Sequence, residues 1–215
     1  MVQRGSWGRA VACALAALAA GAAGAGEGER PSEAFRREFL AGMPKSALST
    51  TPEDATLLRI LVEARHAQRG VEVGSYIGFG ACHMGIGFER TGGHLTTIEI
   101  DPATAEQCRE NIRKMGLEKS VTCVTGDALK VLTTLEGPID FLFIDAAKSD
   151  YFKYLKAVEA KLKAGAVIVA DNTIQSAGAM RDFLDYLANS PDYESVTVRA
   201  SDAKRDGMTI AYKVR

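Results

Sequence analysis

Three glycines within seven residues follow an early apolar run, and this stretch constrains the fold more than any other part of the chain. It reads Val71-Glu72-Val73-Gly74-Ser75-Tyr76-Ile77-Gly78-Phe79-Gly80-Ala81. Glycine is favoured where the backbone turns through positive φ or approaches a ligand more closely than a Cβ allows. Between a first β-strand and a helix, such a loop is typical of the ligand-binding edge of a doubly wound α/β sheet. Its spacing differs from G-x-G-x-x-G, so it does not match the dinucleotide fingerprint.

Segments with strand and helix character alternate along the rest of the chain. Thr51-Pro52 and Asp101-Pro102 each predict a helix start, because a capping side chain precedes a proline at the first helical position. The predicted helices lie at residues 51–70, after Gly80, and at residues 101–115, 150–162 and 180–187. The predicted strands are residues 71–74, 95–100, 121–125, 139–144 and 166–170, followed by a hairpin of residues 195–198 and 208–214. This order predicts an α/β fold, a three-layer, doubly wound, mostly parallel seven-stranded sheet with a C-terminal antiparallel hairpin.

The first thirty residues differ in composition from the rest. Arg4 and Arg9 form a basic start, and residues 10–26 carry no charge and are mostly Ala, Leu and Gly. A charged start, an apolar stretch and a small-residue end predict a targeting peptide, with Ala23-Gly24-Ala25 as a candidate cleavage site. The alternatives are an organelle import sequence and an uncleaved N-terminal anchor with membrane attachment through residues 10–26. We therefore divide the chain into a targeting peptide or anchor at residues 1–30 and one folded domain at residues 31–215.

Charge and cysteine content exclude several classes of protein. The 26 Lys and Arg residues balance the 27 Asp and Glu residues, and the formal net charge of −1 indicates no nucleic-acid-binding surface. The three cysteines beyond the first thirty residues form no C-x-x-C pair, and we interpret them as buried free thiols rather than a disulfide framework. We interpret His83 and His94 as helix and loop surface residues rather than metal ligands.

An acidic residue lies at the end of each of the five predicted parallel strands. In open α/β sheets, ligands bind beyond the carboxyl ends of the strands. The acids are Glu72, Glu99 with Asp101, Asp127, Asp145 and Asp171. Glu99 follows Gly80 by 19 positions, close to the spacing of about 20 at which an acid accepts hydrogen bonds from ribose hydroxyls. This spacing is shared by binding sites for nicotinamide cofactors and for S-adenosylmethionine (SAM).

Oxygen donors at two neighbouring strand ends indicate a metal site. Asp145, Asp171 and Asn172 have no His or Cys close to them in the sequence, and oxygen-only ligation suits Mg²⁺ or Ca²⁺ rather than zinc. Mg²⁺ usually keeps open or water-filled positions, which a substrate with two adjacent oxygens could occupy. Lys148 lies one helical turn after Asp145 and is the candidate general base.

Taken together, these segments resemble a known family. Their order and spacing are similar to those of the cation-dependent class I SAM O-methyltransferases, the group that contains catechol and caffeoyl-CoA O-methyltransferases, over about residues 45–215. The Asp-Ala-Ala-Lys run followed by Asp-Asn is the specific part of the resemblance. The matching segments are residues 72–81, 98–101, 126–128, 143–148 with Tyr151, 169–172 and 206–211.

The resemblance implies SAM as the methyl donor, a divalent cation, with Mg²⁺ expected, and a small phenolic acceptor with adjacent hydroxyls. It assigns proton removal from the acceptor to Lys148, as the catalytic residue. It assigns the metal to Asp145, Asp171 and Asn172. It assigns the cofactor to Glu72, Gly74, Tyr76 and Gly80 around the methionine half, Glu99 at the ribose, Asp127 and Ala128 by the adenine, and Asp145. Ala147 departs from the family pattern, because some relatives carry a large aromatic side chain there, beside the adenine.

The function implied for residues 31–215 is therefore methyl transfer from SAM to a hydroxyl of a catechol-like or hydroxycinnamoyl-type acceptor. Two alternatives remain open on the sequence, a nicotinamide-dependent oxidoreductase and a catalytically inactive binding protein with the same fold. The resemblance also implies a homodimer. Because a secreted enzyme would lack its supply of SAM, organelle import or membrane anchoring is expected in preference to secretion.

Overall fold

A seven-stranded sheet forms the centre of the computed structural model, which describes residues 30–46 and 48–215. Its strands are β1 (Arg69–Val73), β2 (His94–Glu99), β3 (Val121–Thr125), β4 (Ile139–Ile144), β5 (Leu162–Ala170), β6 (Tyr193–Val198) and β7 (Met208–Lys213). Their spatial order is β3-β2-β1-β4-β5-β7-β6. The first five strands pair in parallel, and β7 pairs antiparallel with both β5 and β6. The predicted doubly wound sheet and its C-terminal hairpin are confirmed.

Helices cover both faces of this sheet. They are α1 (Glu33–Gly42), α2 (Pro52–Arg65), α3 (Phe79–Thr91), α4 (Pro102–Lys114), α5 (Ala128–Thr134), α6 (Tyr151–Val158) and α7 (Arg181–Asn189), with 3₁₀ turns at Lys148–Asp150 and Glu159–Lys161. The short helix α5 is not among the helices predicted from the sequence. The predicted end of α2 near Gly70 was wrong, because His66 ends the helix in the left-handed conformation (φ 50°) and Gly70 lies within β1. β5 begins at Leu162, four residues before the predicted start.

Both predicted helix starts are confirmed by their capping hydrogen bonds. Thr51 Oγ1 accepts a hydrogen bond from the Asp54 N–H (3.2 Å), and Asp101 Oδ1 accepts one from the Thr104 N–H (2.8 Å). Each satisfies an N–H that has no partner within its own helix. Asp101 thereby turns the chain from the end of β2 directly into α4.

The core consists of two layers separated by the sheet, and β4 shows how one strand serves both. Phe141 and Phe143 point to the layer formed with α1–α4, whereas Leu142 and Ile144 point to the layer formed with α5–α7. Successive side chains of a strand face opposite sides of a sheet, so a strand covered on both faces is apolar at every position. All six residues of β4 are buried, even Asp140, whose carboxylate pairs with Lys163 (2.9 Å).

The prediction that the cysteines are buried free thiols is confirmed, whereas the prediction that His83 lies on the helix surface was wrong. Cys82, Cys108 and Cys123 are free and buried. His83 is also buried, because α3 lies between the sheet and other helices and is buried on all its faces from Phe79 to Phe88. Burial lowers the pKa of His83 to about 4, and its ring lies 4.8 Å from that of Phe79, so it behaves as a neutral core residue. His94 begins β2, where its Nε2 lies 2.9 Å from Thr122 Oγ1.

The predicted targeting peptide or anchor, its cleavage site and the attachment segment at residues 10–26 lie outside the described residues, which begin at Arg30. Pro31–Arg215 form one compact unit. Among the residues that the structure describes, no helix has both the length and the apolar character needed to cross a membrane.

Candidate active site

A cavity of about 560 Å³ opens at the carboxyl ends of the five parallel strands. Its volume suits a ligand of cofactor size, and its place is the expected ligand position of a doubly wound sheet. The structure brings ten of the eleven sequence-predicted site residues into its lining. They are Gly74, Tyr76, Gly80, Glu99, Asp127, Ala128, Asp145, Lys148, Asp171 and Asn172.

Gly74 is where β1 meets the neighbouring strands at the cavity floor. Its N–H donates to the Ile98 carbonyl of β2 (2.9 Å), and its φ is 90°. A Cβ at this position would lie 2.2 Å from the carbonyl oxygen of Asp145. Only glycine combines this dihedral with such a close approach. The position therefore allows the end of β1 to pass directly beside the carboxylate-bearing end of β4.

Glu99 links the glycine-rich loop to the turn after β2 by accepting one backbone hydrogen bond from each. Its Oε2 accepts from the Tyr76 N–H (2.8 Å) and its Oε1 from the Asp101 N–H (3.0 Å). Tyr76 is itself held at a φ of 47°, which is uncommon for a residue other than glycine. Each carboxylate oxygen has a second lone pair, so the fixed Glu99 side chain can still accept hydrogen bonds from a ligand's hydroxyls.

Glu72 is the predicted cofactor residue that does not line the cavity. Its side chain is buried beneath α3, and a Cβ on Gly80 would lie 2.9 Å from its Oε1. Burial raises the pKa of Glu72 to about 8, and the nearby negative charges of Asp145 and Glu99 act in the same direction. Its Oε2 has no hydrogen-bond partner among the described residues. Because its pKa lies above neutral pH, the Glu72 carboxyl is protonated there, which avoids the cost of an unpaired buried charge.

The three predicted metal ligands lie together at the ends of β4 and β5. Asp145 and Asp171 follow the paired ends of β4 and β5, where Ile144 lies opposite Ala170, and both line the cavity. Burial and the negative charge of Asp145 raise the pKa of Asp171 to about 6, although the Lys204 ammonium acts in the opposite direction. The Asn172 Nδ2 donates to Asp206 Oδ2 (3.3 Å), which leaves the amide oxygen available as a ligand. Two carboxylates and an amide oxygen are hard donors that fit Mg²⁺. No group of three or more His, Cys, Asp or Glu side chains arranged for a metal occurs in the described chain, so the candidate set depends on the amide.

Each of the two carboxylates is paired with a lysine ammonium. Lys148 Nζ lies 2.8 Å from Asp145 Oδ1 and 2.9 Å from the hydroxyl of Tyr151. Lys204 Nζ donates to both oxygens of Asp171, at 2.5 Å for Oδ1, and also lies 3.2 Å from Asp54 Oδ2. The negative charge that would attract a divalent cation is thus balanced by two cations belonging to the chain.

Sequence reasoning missed three side chains that shape the site. Lys204 lies in the loop between β6 and β7, where no local motif marks it. Asp206 fixes that loop: burial alone would raise the pKa of Asp206, but hydrogen bonds from the backbone N–H groups of Gln175, Gly207 and Ile174 lower it. Tyr154 lines the cavity together with Ala147, and its spacing of three from Tyr151 could have placed it on the same helix face.

Comparison with known proteins places the chain in a family. Residues 31–187, more than two thirds of the chain, match the family model described as O-methyltransferase. A catechol O-methyltransferase from Niastella koreensis is 34% identical over 139 residues, which are 63% of this chain and 62% of that protein. A catechol O-methyltransferase from Mycobacterium tuberculosis is 34% identical over 160 residues, which are 74% of this chain and 68% of that protein. The chain therefore spans less than two thirds of the length of the first of these relatives.

Solved structures agree with the family match. The crystal structure of an O-methyltransferase from Bacillus cereus in complex with SAH is similar with a TM-score of 0.75 and 25% identity, covering 85% of this chain and 92% of that one. The chain belongs to the O-methyltransferase family.

Proposed function

We propose that this protein transfers the methyl group of SAM to a hydroxyl of a small acceptor with adjacent hydroxyls, of the catechol or hydroxycinnamoyl type, with the aid of a divalent cation, Mg²⁺ in the first instance. One observation carries the proposal. A single cavity is lined by Glu99, by the neighbouring carboxylates of Asp145 and Asp171 with the Asn172 amide, and by Lys148, which pairs with Asp145. The relatives named catechol O-methyltransferase support this acceptor class.

Residues around the glycine-rich loop would hold SAM. Glu99 would accept hydrogen bonds from the ribose hydroxyls, and Gly74 and Gly80, which line the cavity, would border the methionine half. Glu72 lies outside the cavity lining and, with its pKa raised to about 8, is neutral at neutral pH, so it would support the loop at Gly80 rather than carry a charge toward the cofactor. Asp127 and Ala128, at the start of α5, would lie by the adenine. When bound, SAM supplies an electrophilic methyl group on a positively charged sulfur.

Residues at the ends of β4 and β5 would orient and activate the acceptor. Asp145, Asp171 and Asn172 would hold the divalent cation, which when bound lowers the pKa of a hydroxyl in contact with it. Lys148, once it has released to solvent the proton that it carries in its pair with Asp145, would take the proton of that hydroxyl. Its Nζ is held between Asp145 and Tyr151 at hydrogen-bonding distance. Burial raises the pKa of Tyr151 far above its usual range, so this phenol stays neutral and positions Lys148 without competing for the proton.

Methyl transfer to a matched set of acceptors tests this proposal. The full chain is incubated with labelled SAM and catechol, a caffeoyl thioester or a flavonoid with adjacent hydroxyls, with Mg²⁺ or with EDTA. We expect methylated product that depends on Mg²⁺, and little from resorcinol, whose hydroxyls are not adjacent and cannot contact one ion together. Equal turnover of resorcinol, or full turnover in EDTA, would contradict the metal role.

The two other functions considered from the sequence are tested alongside. A nicotinamide-dependent oxidoreductase would bind NADH in preference to SAM in a fluorescence titration. An inactive binding protein would bind SAM without turnover of any acceptor. A homodimer and membrane attachment through residues 10–26 remain expectations, which sedimentation of the pure protein and fractionation of cells would test.

A further inference from the structure

The loop between β6 and β7 places a positive charge inside the candidate metal site. Lys204 is its source, with a side chain that is only 16% exposed. The two carboxylates it contacts, those of Asp171 and Asp54, are almost fully buried, at 2% and 3% side-chain exposure. A buried carboxylate without a partner is unfavourable, so each needs a cation. Lys204 supplies one cation to two acids.

The hydrogen bonds of Asp171 leave little room for another cation. Its Oδ1 accepts from the Asn172 N–H (2.7 Å) and from Lys204 Nζ (2.5 Å), and its Oδ2 accepts from Lys204 Nζ as well. A carboxylate oxygen offers two lone pairs, so both sites on Oδ1 are in use. A divalent cation could not share Asp171 with this ammonium group without strong repulsion between the two positive charges.

The geometry gives the ammonium group a second position. Asp54, in the first turn of α2, lies 3.2 Å from Lys204 Nζ and can retain it if Asp171 is taken by another cation. The backbone of the loop is fixed next to Lys204, because the Oδ1 of Asp206 accepts three backbone hydrogen bonds. The four-carbon lysine side chain can therefore move while the loop stays in place.

We propose that Lys204 is a tethered competitor of the divalent cation: its ammonium group occupies Asp171 in the metal-free protein and moves to Asp54 alone when the ion binds. This inference rests on the metal site of the proposed function. It assigns two new residues to that site, Lys204 as an occupant of the ligand set and Asp54 as the group that receives it. It also means that the chain sets its own metal affinity, since binding must include the displacement of Lys204.

Direct metal binding tests this inference without any turnover. Mn²⁺, an ion that prefers the same oxygen donors, is titrated into the full chain without SAM, and free Mn²⁺ is measured by electron paramagnetic resonance. If Lys204 occupies Asp171 in about nine of ten molecules, its removal tightens apparent binding about tenfold. We therefore expect Lys204→Met to bind Mn²⁺ about tenfold or more tightly than the wild type, and Lys204→Arg, which keeps the charge, to stay within a few-fold of it.

A matched control separates direct competition from a general effect of charge. Arg205 is the next residue in the loop and is exposed, so Arg205→Gln removes the same charge without vacating Asp171. We expect it to change Mn²⁺ affinity by no more than about twofold. Because Lys204→Met leaves two buried acids unpaired and could weaken the fold, thermal unfolding is also measured. Bound Mn²⁺ should raise the melting temperature of this variant more than that of the wild type.

The outcomes distinguish this inference from the proposed function. If Lys204→Met binds Mn²⁺ no more tightly than the wild type, or if Arg205→Gln gains as much Mn²⁺ affinity as Lys204→Met, Lys204 does not compete with the cation. Either result leaves the metal site of the proposed function intact. No Mn²⁺ binding by any of these proteins overturns the metal site of the proposed function, and the inference with it.

Discussion

Replacing Gly74 by alanine tests whether the end of β1 fixes the geometry of the active site. A Cβ at this position would lie 2.2 Å from the Asp145 carbonyl oxygen and would have to move about 0.8 Å to reach even 3.0 Å. The obstacle is backbone, so it cannot rotate away as a side chain could. The carboxylate of Asp145 would move with its backbone, away from Lys148 and from the two other candidate metal ligands, Asp171 and Asn172.

Two terms contribute to the expected loss of stability in Gly74→Ala. A residue other than glycine at positive φ costs about 1–2 kcal/mol, and the forced backbone shift adds about 1–3 kcal/mol, typical of overpacking. We therefore expect the free energy of unfolding to fall by about 2–5 kcal/mol. Turnover should fall by about 100-fold, since a displacement near 1 Å in a positioned group has that effect.

The assay compares Gly74→Ala with Gly92→Ala by urea denaturation and by methyl transfer. Gly92 also has a positive φ, 73°, but an added Cβ there would have no heavy atom within 4 Å. The free energy of unfolding of Gly92→Ala should therefore fall only by the cost of the positive φ, about 1–2 kcal/mol, and its turnover should be unchanged. If the two variants are equally stable and Gly74→Ala keeps wild-type turnover, the contact between β1 and Asp145 does not control the site.

Three further substitutions test individual side chains. Burial raises the pKa of Glu72 to about 8 in the folded protein, against 4.5 for an ordinary glutamate. Between these pH values the folded state therefore holds a proton that the unfolded chain has released. The free energy of unfolding of the wild type should fall by up to about 5 kcal/mol as the pH rises through this range. Urea denaturation at pH 5 and pH 8 should show a clearly smaller fall in Glu72→Gln, and equal falls would contradict the raised pKa. Asp145→Ala should abolish Mg²⁺-dependent transfer while calorimetry still detects SAM binding; transfer near the wild-type rate would remove Asp145 from the metal site. Lys148→Met should lower kcat by about 10²–10⁴-fold, the usual contribution of a general base, with SAM affinity nearly unchanged, and an unchanged kcat would exclude Lys148 as the base.

The sheet and most of the site could be predicted because they depend on local patterns. Asp145 directly follows β4 and Asp171 directly follows β5, and the carboxyl ends of neighbouring parallel strands meet at one edge, so the sequence alone predicts that the two carboxylates lie close together. Helix caps such as Asp101 could also be predicted, because the capping residue and the proline of the first helical turn are adjacent in the sequence.

What could not be predicted depends on packing between distant segments. Lys204 reaches Asp171 across 33 positions and Asp54 across 150, and no spacing rule connects such residues. His83 was misplaced because α3 is buried on all sides, whereas a typical surface helix has one polar face. The helix α5 was missed because it has only seven residues, and Asp127, read only as a ligand, also caps it through a hydrogen bond from the Leu129 N–H.

The most direct test of the account is a crystal structure of the full chain grown with Mn²⁺ and SAH, with anomalous data collected at the manganese edge. We predict one strong peak within coordination distance of Asp145, Asp171 and Asn172, SAH along the glycine-rich loop, and Lys204 paired with Asp54 alone. SAH in the cavity with no manganese peak at these three residues, or with Lys204 still on Asp171, would contradict the central claim that the two strand ends form a divalent-cation site.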